Sequence, residues 1–329
     1  MSPPARAELI ADRGAAAESP EFFRSRPFLD AEGVTHTLRI AAAEGELLAP
    51  LIVREVPGGE DLDAVSPYGY PGIVPLPPPS AEWTVDAPVG ASTVHSALGV
   101  KEIDFSATGL VSLFVRHALA EPPLADSTPR NVVQIADPAL PPKSRGSDRN
   151  RINKNRRAGY EVLIVPGPET SAAQRAGFLA AYEQTMRRAA AAEHYFFAAA
   201  YFDRILESDL TCLALALAPG GEIAAASVAA RSDGFLHYYL SGSADAQLRD
   251  SPMKNVVAAL IEHAAAEGLP LNLGGGIARG DALEEFKRGF ANREQAWHTS
   301  EVVCDREAYD RLSAGREPTG YFPAYRAPA

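Results

Sequence analysis

Residues 210–243 read LTCLALALAPGGEIAAASVAARSDGFLHYYLSGS. Two turn signals cut this stretch into three apolar runs. Gly220-Gly221 closes the first run and Asp233-Gly234 separates the second from the third. Both pairs tolerate the positive φ that tight hairpin turns require. Strands are therefore expected over 210–218, 222–231 and 235–241, joined antiparallel in succession. Upstream, Phe178, Tyr182 and Met186 recur at four-residue spacing within an expected helix 173–193, and a second helix is expected around 197–206. Downstream, Ser251-Pro252 supplies a start and Gly268 a stop for a helix over 253–267. A strand through Leu271 follows, then a helix near 281–290 opened by Asp281 and Glu284 as a capping box, then a strand over 295–304. The order is α-α-β-β-β-α-β-α-β.

The first half is less regular. Residues 1–20 are poor in large apolar side chains and are expected to form a loose tail. Apolar runs on either side of Glu44-Gly45-Glu46 predict a hairpin over 36–56. Ser66–Gly72 and the prolines from Pro75 to Pro79 exclude helix and predict an ordered loop. A helix is expected over 110–119 and a strand over 131–136. Pro138, Pro141 and Pro142 then place a domain boundary between 140 and 150. The expected organisation is a tail (1–20), an N-terminal domain (21–145) and a C-terminal domain (146–329).

At 329 residues and 46% hydrophobic content the chain has material for two cores. It lacks the run of about 20 apolar residues that a membrane helix needs, and its first residues lack the apolar stretch of a secretory signal. A cytoplasmic protein without membrane insertion is the expectation. Two cysteines and seven scattered histidines supply neither a disulfide framework nor a metal cluster, so no metal is expected. The net charge of −11 opposes indiscriminate nucleic-acid binding. Charge is uneven, however. Residues 1–145 hold 11 basic and 19 acidic side chains, whereas 143–157, KSRGSDRNRINKNRR, hold seven basic and one acidic. Such a segment either steers one anionic partner or forms a solvated helix face.

Residues 271–290, LNLGGGIARGDALEEFKRGF, carry the chemistry. A strand opens onto Gly274, Gly275 and Gly276, where a ligand can approach bare backbone. The following helix offers Lys287 between Phe286 and Phe290, a cation in apolar surroundings that suits a developing oxyanion. Arg279 stands where a dinucleotide fingerprint needs its third glycine. Residues 236–243, LHYYLSGS, place Tyr238 or Tyr239 toward a cleft by strand alternation, with core packing the alternative. No Ser/His/Asp signature, nucleophilic cysteine context or carboxylate pair accompanies them.

The order of elements resembles the GNAT acyltransferase fold. The phrases LHYYLSGS, LNLGGG and DALEEFKRGF, with RNRINKNRRAGYEV ahead of the first helix, resemble the Fem-type aminoacyl-tRNA-dependent ligases within that superfamily over about residues 149–303. The resemblance implies a mixed α/β fold of two tandem GNAT-like domains, each with a mostly antiparallel sheet. It also implies an enzyme that moves an amino acid from tRNA onto an amine. Aminoacyl-tRNA would be the co-substrate, no cofactor is implied, and the acceptor would be a small-molecule or peptide-like amine. Phe286-Lys287 looks like the family's Phe-Lys pair, whose lysine stabilises the ester carbonyl oxygen. Tyr238 and Tyr239 with Gly274–Gly276 would line the site, and Arg149, Arg151, Lys154, Arg156 and Arg157 would meet the tRNA acceptor end. Leu240 replaces the second tyrosine of the family's strand, and Phe114-Val-Arg-His117 lacks the family's acid. These departures favour specialised-metabolite or antibiotic biosynthesis over a cell-wall acceptor. GNAT enzymes that use coenzyme A carry a Gly-rich loop for its pyrophosphate, and the corresponding residues 247–253, QLRDSPM, have no glycine. The alternatives are an acyl-CoA-dependent N-acyltransferase and a non-catalytic binding module on the same fold.

Overall fold

The computed structural model describes residues 5–42, 45–76, 102–119, 124, 127–317 and 319–327. The chain divides into two compact units, Met1–Arg130 with Trp297–Ala329, and Asn131–Ala296.

The first unit contains β1 (Ala5–Ile10), α1 (Arg26–Ala31), β2 (His36–Ala42), β3 (Gly45–Glu55), β4 (Leu62–Val65), β5 (Val74–Leu76), β6 (Ile103–Asp104) and β7 (Leu110–Arg116). β1, β2, β3 and β4 pair antiparallel in sequence order, and β7 runs parallel to β4. Leu38, Ile40, Leu47, Leu51 and Leu113 form its core. The expected hairpin is β2–β3, its turn residues 43–44 lying outside the described residues, as do 77–79 of the proline run.

Two expectations are corrected here. Part of the expected loose tail is β1, whose Ala5 and Ala7 are small enough to be buried against β2. The expected helix over 110–119 is β7. Its first four residues are all buried, so the run lacks the alternation that separates a central strand from a helix.

The second unit contains β8 (Thr128–Ala136, from Asn131 onward), α2 (Gly146–Arg157), β9 (Glu161–Pro166), α3 (Ala172–Arg188), α4 (Ala199–Ile205), β10 (Thr211–Leu217), β11 (Ile223–Ser232), β12 (Phe235–Ser243), α5 (Met253–Ala266), β13 (Leu271–Gly274) and α6 (Ala282–Arg288). Its strands lie in the order β8-β13-β12-β11-β10-β9, all antiparallel except β12 with β13. α3 starts at a complete capping box, Ser171 with Gln174. Gly242 lets β12 approach the backbone of Tyr182 on that helix, where a Cβ would overlap main-chain atoms. α5 buries Val256, Leu260 and Ala264 against a face of β10 and β11 built from Ala214, Ala216, Ala225 and Ala229. Side chains this short let helix and sheet approach closely.

The α5 start differs from expectation. Ser251 takes the left-handed conformation (φ 50°), and Pro252 is the N-cap.

Beyond α6, β14 (Arg293–Val303) begins in the second unit and ends in the first, where α7 (Arg306–Ser313) follows. The segment from Trp297 therefore belongs with the N-terminal residues rather than with 146–296. Thr299–Val303 pair with β7, and the buried Asp63 carboxylate accepts from Arg54 Nε (2.9 Å), Tyr325 Oη (3.2 Å) and Arg326. The mixed α/β class with mostly antiparallel pairing is the one expected.

Candidate active site

In the second unit β12 and β13 pair over only two positions, Leu236 with Leu271 and His237 with Asn272. β12 runs on to Ser243, so the two parallel strands part beyond His237. A bulge coincides with the parting. Ala229 pairs with Tyr238 and Val228 with Leu240, leaving Tyr239 as the extra residue. Simple alternation places Tyr238 and Leu240 on one face of a strand; the bulge separates them. Tyr238 packs, half-buried, on the cluster beneath α5 that also receives Phe286. Burial pushes its phenol up to about 12, opposed by a hydrogen bond with Ser241. Tyr239 instead exchanges a hydrogen bond with Tyr201 Oη on α4 (2.7 Å), whose ring stacks on Phe197. Tyr238 and Phe286 thus pack on one hydrophobic cluster, and Tyr239 is not among its residues. His237 is structural. Asn272 Nδ2 donates to its Nδ1 (3.0 Å), so Nε2 donates to the Ser232 carbonyl (3.1 Å), and burial pushes its pKa down to about 4.

The three glycines form a packed turn rather than an open floor. Gly274 has φ 74°, and its N–H donates to Asn272 Oδ1 (2.8 Å). A Cβ at Gly275 would overlap the Asn131 side chain, and one at Gly276 would overlap the Asp281 carboxylate. Asn131 Nδ2 donates to the Gly276 carbonyl (2.8 Å). Asp281 Oδ2 accepts from the Ile277 and Ala278 N–H groups (2.7 and 3.0 Å), and Oδ1 accepts from Glu284 N–H (2.7 Å). Burial raises the Asp281 pKa, but these backbone donors outweigh it and the net shift is downward. Asp281 caps α6 as expected, while Glu284 turns its carboxylate to Gly280 N–H (2.7 Å) rather than to the cap residue. The N–H groups of Gly274, Ile277, Ala278 and Gly280 are therefore occupied, and what the turn presents to Lys287 is a carbonyl.

Lys287 Nζ donates to that carbonyl, Gly275 O, at 2.6 Å. The residue is 8% exposed. Burial pulls its pKa down to about 8, with the Asp281 charge acting in the opposite direction. At neutral pH it is an ammonium in poorly solvated surroundings, with two further N–H bonds. Phe286 packs edge-on to Phe290, their centroids 5.6 Å apart, beside it.

The segment between β12 and α5 corresponds to the one that meets the pyrophosphate of coenzyme A in GNAT enzymes that use it. Such a site needs several free backbone amides at a helix start. Here the N–H groups of Ala244, Asp245, Gln247, Ser251, Lys254 and Asn255 are each hydrogen-bonded within the protein. Pro252 has none, and Asp245 and Asp250 add negative charge.

The basic run forms α2. Asp148, Ile152 and Asn155 face inward; Asn155 Nδ2 bonds the Asp250 carbonyl and Asn255 Oδ1 (both 2.8 Å), and Lys254 Nζ bonds Asp148 Oδ1 (2.6 Å). Outward, the exposed Arg149, Arg156 and Arg157 fall within about 100° of one another around the axis. Lys154 is exposed on the other flank, and Arg151 leans on Asp250 (3.8 Å). Arg156 reaches Glu262 on α5 (3.5 Å).

Residues 142–288 match the acetyltransferase (GNAT) domain family. That segment is a GNAT-type domain. Across the whole chain the structure is similar to FemX, with TM-score 0.60 and 11% identity over 92% of this chain and 99% of that one. It is also similar to L-PGS from Bacillus licheniformis (TM-score 0.51, 13% identity, 82% and 85% covered). A third likeness is to the C-terminal domain (DUF2156) of a putative lysylphosphatidylglycerol synthetase from Agrobacterium fabrum (TM-score 0.52, 13% identity, 91% and 93% covered). At these identities the likeness is one of fold. No curated protein matches the chain by sequence. Among the described residues no helix is long and apolar enough to cross a membrane, and no group of His, Cys, Asp and Glu side chains is arranged to hold a metal.

No motif or spacing points to Asn131. It lies 145 positions from the carbonyl it binds, at the edge of an apolar strand. The Tyr239 bulge was also silent, because an extra residue in a strand leaves composition unchanged.

Proposed function

We propose that this GNAT-type acyltransferase fold carries out aminoacyl transfer from tRNA to the amine of a small-molecule or peptide-like acceptor, in specialised-metabolite biosynthesis. The observation that carries the reading is the Lys287 ammonium, buried beside Phe286 and anchored at one N–H to Gly275 O. The acceptor amine attacks the ester carbonyl carbon. The carbonyl oxygen takes the electron pair and is held by the free N–H bonds of Lys287, an interaction worth about 3–4 kcal/mol where comparable donors have been removed. As the tetrahedral centre collapses, the amide C–N bond stays, the C–O bond to the terminal ribose breaks, and the ribose oxygen takes the proton that the amine loses. No acyl-enzyme forms. Phe286 and Tyr238 wall the acyl group, and Gly274–Gly276 support Lys287. Arg149, Arg156 and Arg157, with Lys154 and Arg151 on the flank, receive tRNA phosphates. The internal bonding of the Ala244, Asp245, Gln247, Ser251, Lys254 and Asn255 amides favours this donor over acyl-CoA.

The test uses total tRNA charged with radiolabelled amino acids and a panel of amines. RNase-sensitive amide product, lost in Lys287→Ala while the circular dichroism spectrum is unchanged, supports the reading. Micromolar binding of acetyl-CoA in a calorimetric titration, or near wild-type transfer by Lys287→Ala, overturns it.

A further inference from the structure

We propose that Asn131 is a positioning residue for Lys287, clamping the glycine turn so that the Gly275 carbonyl faces the Lys287 ammonium. For activity this rests on the role given to Lys287 above; the geometric part does not. A lysine has four rotatable side-chain bonds, and its ammonium is directed only if something fixed accepts from it. The acceptor here is a main-chain carbonyl in a turn of three successive glycines, the most conformationally permissive sequence available. Such a turn has no intrinsic reason to hold one carbonyl direction, so its neighbours must hold it.

Two side chains do so, gripping the C=O and the N–H of the Gly276–Ile277 peptide. Asp281 gathers the N–H groups of Ile277 and Ala278, on the far side of Gly276. Asn131 acts on the near side. Its Nδ2 donates to Gly276 O, its Oδ1 accepts from Val132 N–H (2.7 Å), and the amide plane lies against Gly275 Cα closely enough to exclude a Cβ. Both amide atoms are committed, one to the turn and one to β8, so the side chain is a rigid strut between strand and turn. The Gly275 carbonyl that Lys287 uses belongs to the Gly275–Gly276 peptide, and the Gly276 carbonyl that Asn131 holds belongs to the next one. With the second peptide fixed and the Asn131 amide filling the space beside Gly275 Cα, the first peptide has little freedom to turn its carbonyl away from Lys287.

The test reads Lys287 directly. Wild type, Asn131→Ala and Asn131→Asp are treated with a limiting amine-acylating reagent across pH 6–11, and acylation at residue 287 is followed by peptide mass spectrometry. In wild type the midpoint of reactivity should lie near pH 8. In Asn131→Ala it should rise by one pH unit or more toward that of surface lysines, and transfer should fall at least tenfold in kcat with little change in KM. Asn131→Asp, the closest shape without the donor, should behave likewise, and Asn131→Gln should recover part of the wild-type midpoint. Wild-type midpoints in both the Ala and Asp variants would overturn the proposal, as would a wild-type midpoint above 10. If Asn131→Ala fails to fold, Asn131→Asp decides. A shifted midpoint in a protein that shows no transfer from any charged tRNA would leave the clamp standing and remove the proposed reaction.

Discussion

Replacing Lys287 with Met should stabilise the protein at neutral pH, and the gain should vanish as pH rises. The lysine's pKa falls from an ordinary 10.5 to about 8 on folding, chiefly by burial. The unfolded chain therefore holds the proton more tightly than the folded one. Between those two values stability rises with pH, because ∂ΔG/∂pH follows the excess of protons bound by the unfolded state. Below pH 8 the folded protein carries the whole cost of a poorly solvated ammonium, about 3 kcal/mol for a gap of this size. Methionine fills much of the same space without charge. It leaves the Gly275 carbonyl short of one donor, a loss of about 1 kcal/mol, so the expected net gain at pH 7 is about 2 kcal/mol. Urea unfolding of both proteins at pH 7 and pH 10 measures it. The stability difference should shrink by about 2–3 kcal/mol between the two pH values, and the variant should be the less stable at the upper end. A difference that does not change with pH would refute the buried, downshifted lysine. It would also remove the main support for an ammonium placed to meet an oxyanion.

Transfer should decline above about pH 8 as Lys287 loses its proton, a falling limb absent from substrate binding followed at the same pH values. Gly242→Ala would drive a Cβ into the backbone of Tyr182 and should cost about 3 kcal/mol in urea unfolding, since neither main chain can yield like a side chain. The triple variant Arg149→Ala, Arg156→Ala, Arg157→Ala should reduce the slope of log K against log salt for deacylated tRNA by about 2–3, one contact per arginine; an unchanged slope would move the tRNA elsewhere. Asp63→Asn should destabilise by about 3 kcal/mol, because two arginines lose their shared buried carboxylate.

The second unit was the more legible half, for physical reasons. Gly220-Gly221 and Asp233-Gly234 supply the positive φ that tight hairpin turns need and most residue pairs resist, and Phe178, Tyr182 and Met186 repeat at a helix period over a long run. β7 reads as a helix because a strand buried on both faces shows an apolar run without alternation. β1 is hidden in the sequence because alanines do not advertise burial, although Ala7 is fully enclosed. At the site, Lys287 and Phe286 were readable from their shared turn of helix. The occupation of the glycine turn was not, since it depends on Asn131 arriving from a distant strand. Ser251 shows a subtler limit: Ser-Pro reads as a cap, yet the serine adopts φ 50° and the proline takes the capping place.

The return of Trp297–Ala329 to the first unit bears on how the chain is made. A ribosome releases residues in order, and domains generally fold as their sequence emerges. Here the unit that begins first ends last. Residues 131–296 are complete while the N-terminal strands still lack the half of β14 that pairs with β7 and the arginine at 326 that meets Asp63. The nascent protein thus finishes its GNAT-type domain before its opening residues can close their own core. The buried Asp63 carboxylate meets Arg54 early, and gains Arg326 only after the whole second unit has been made.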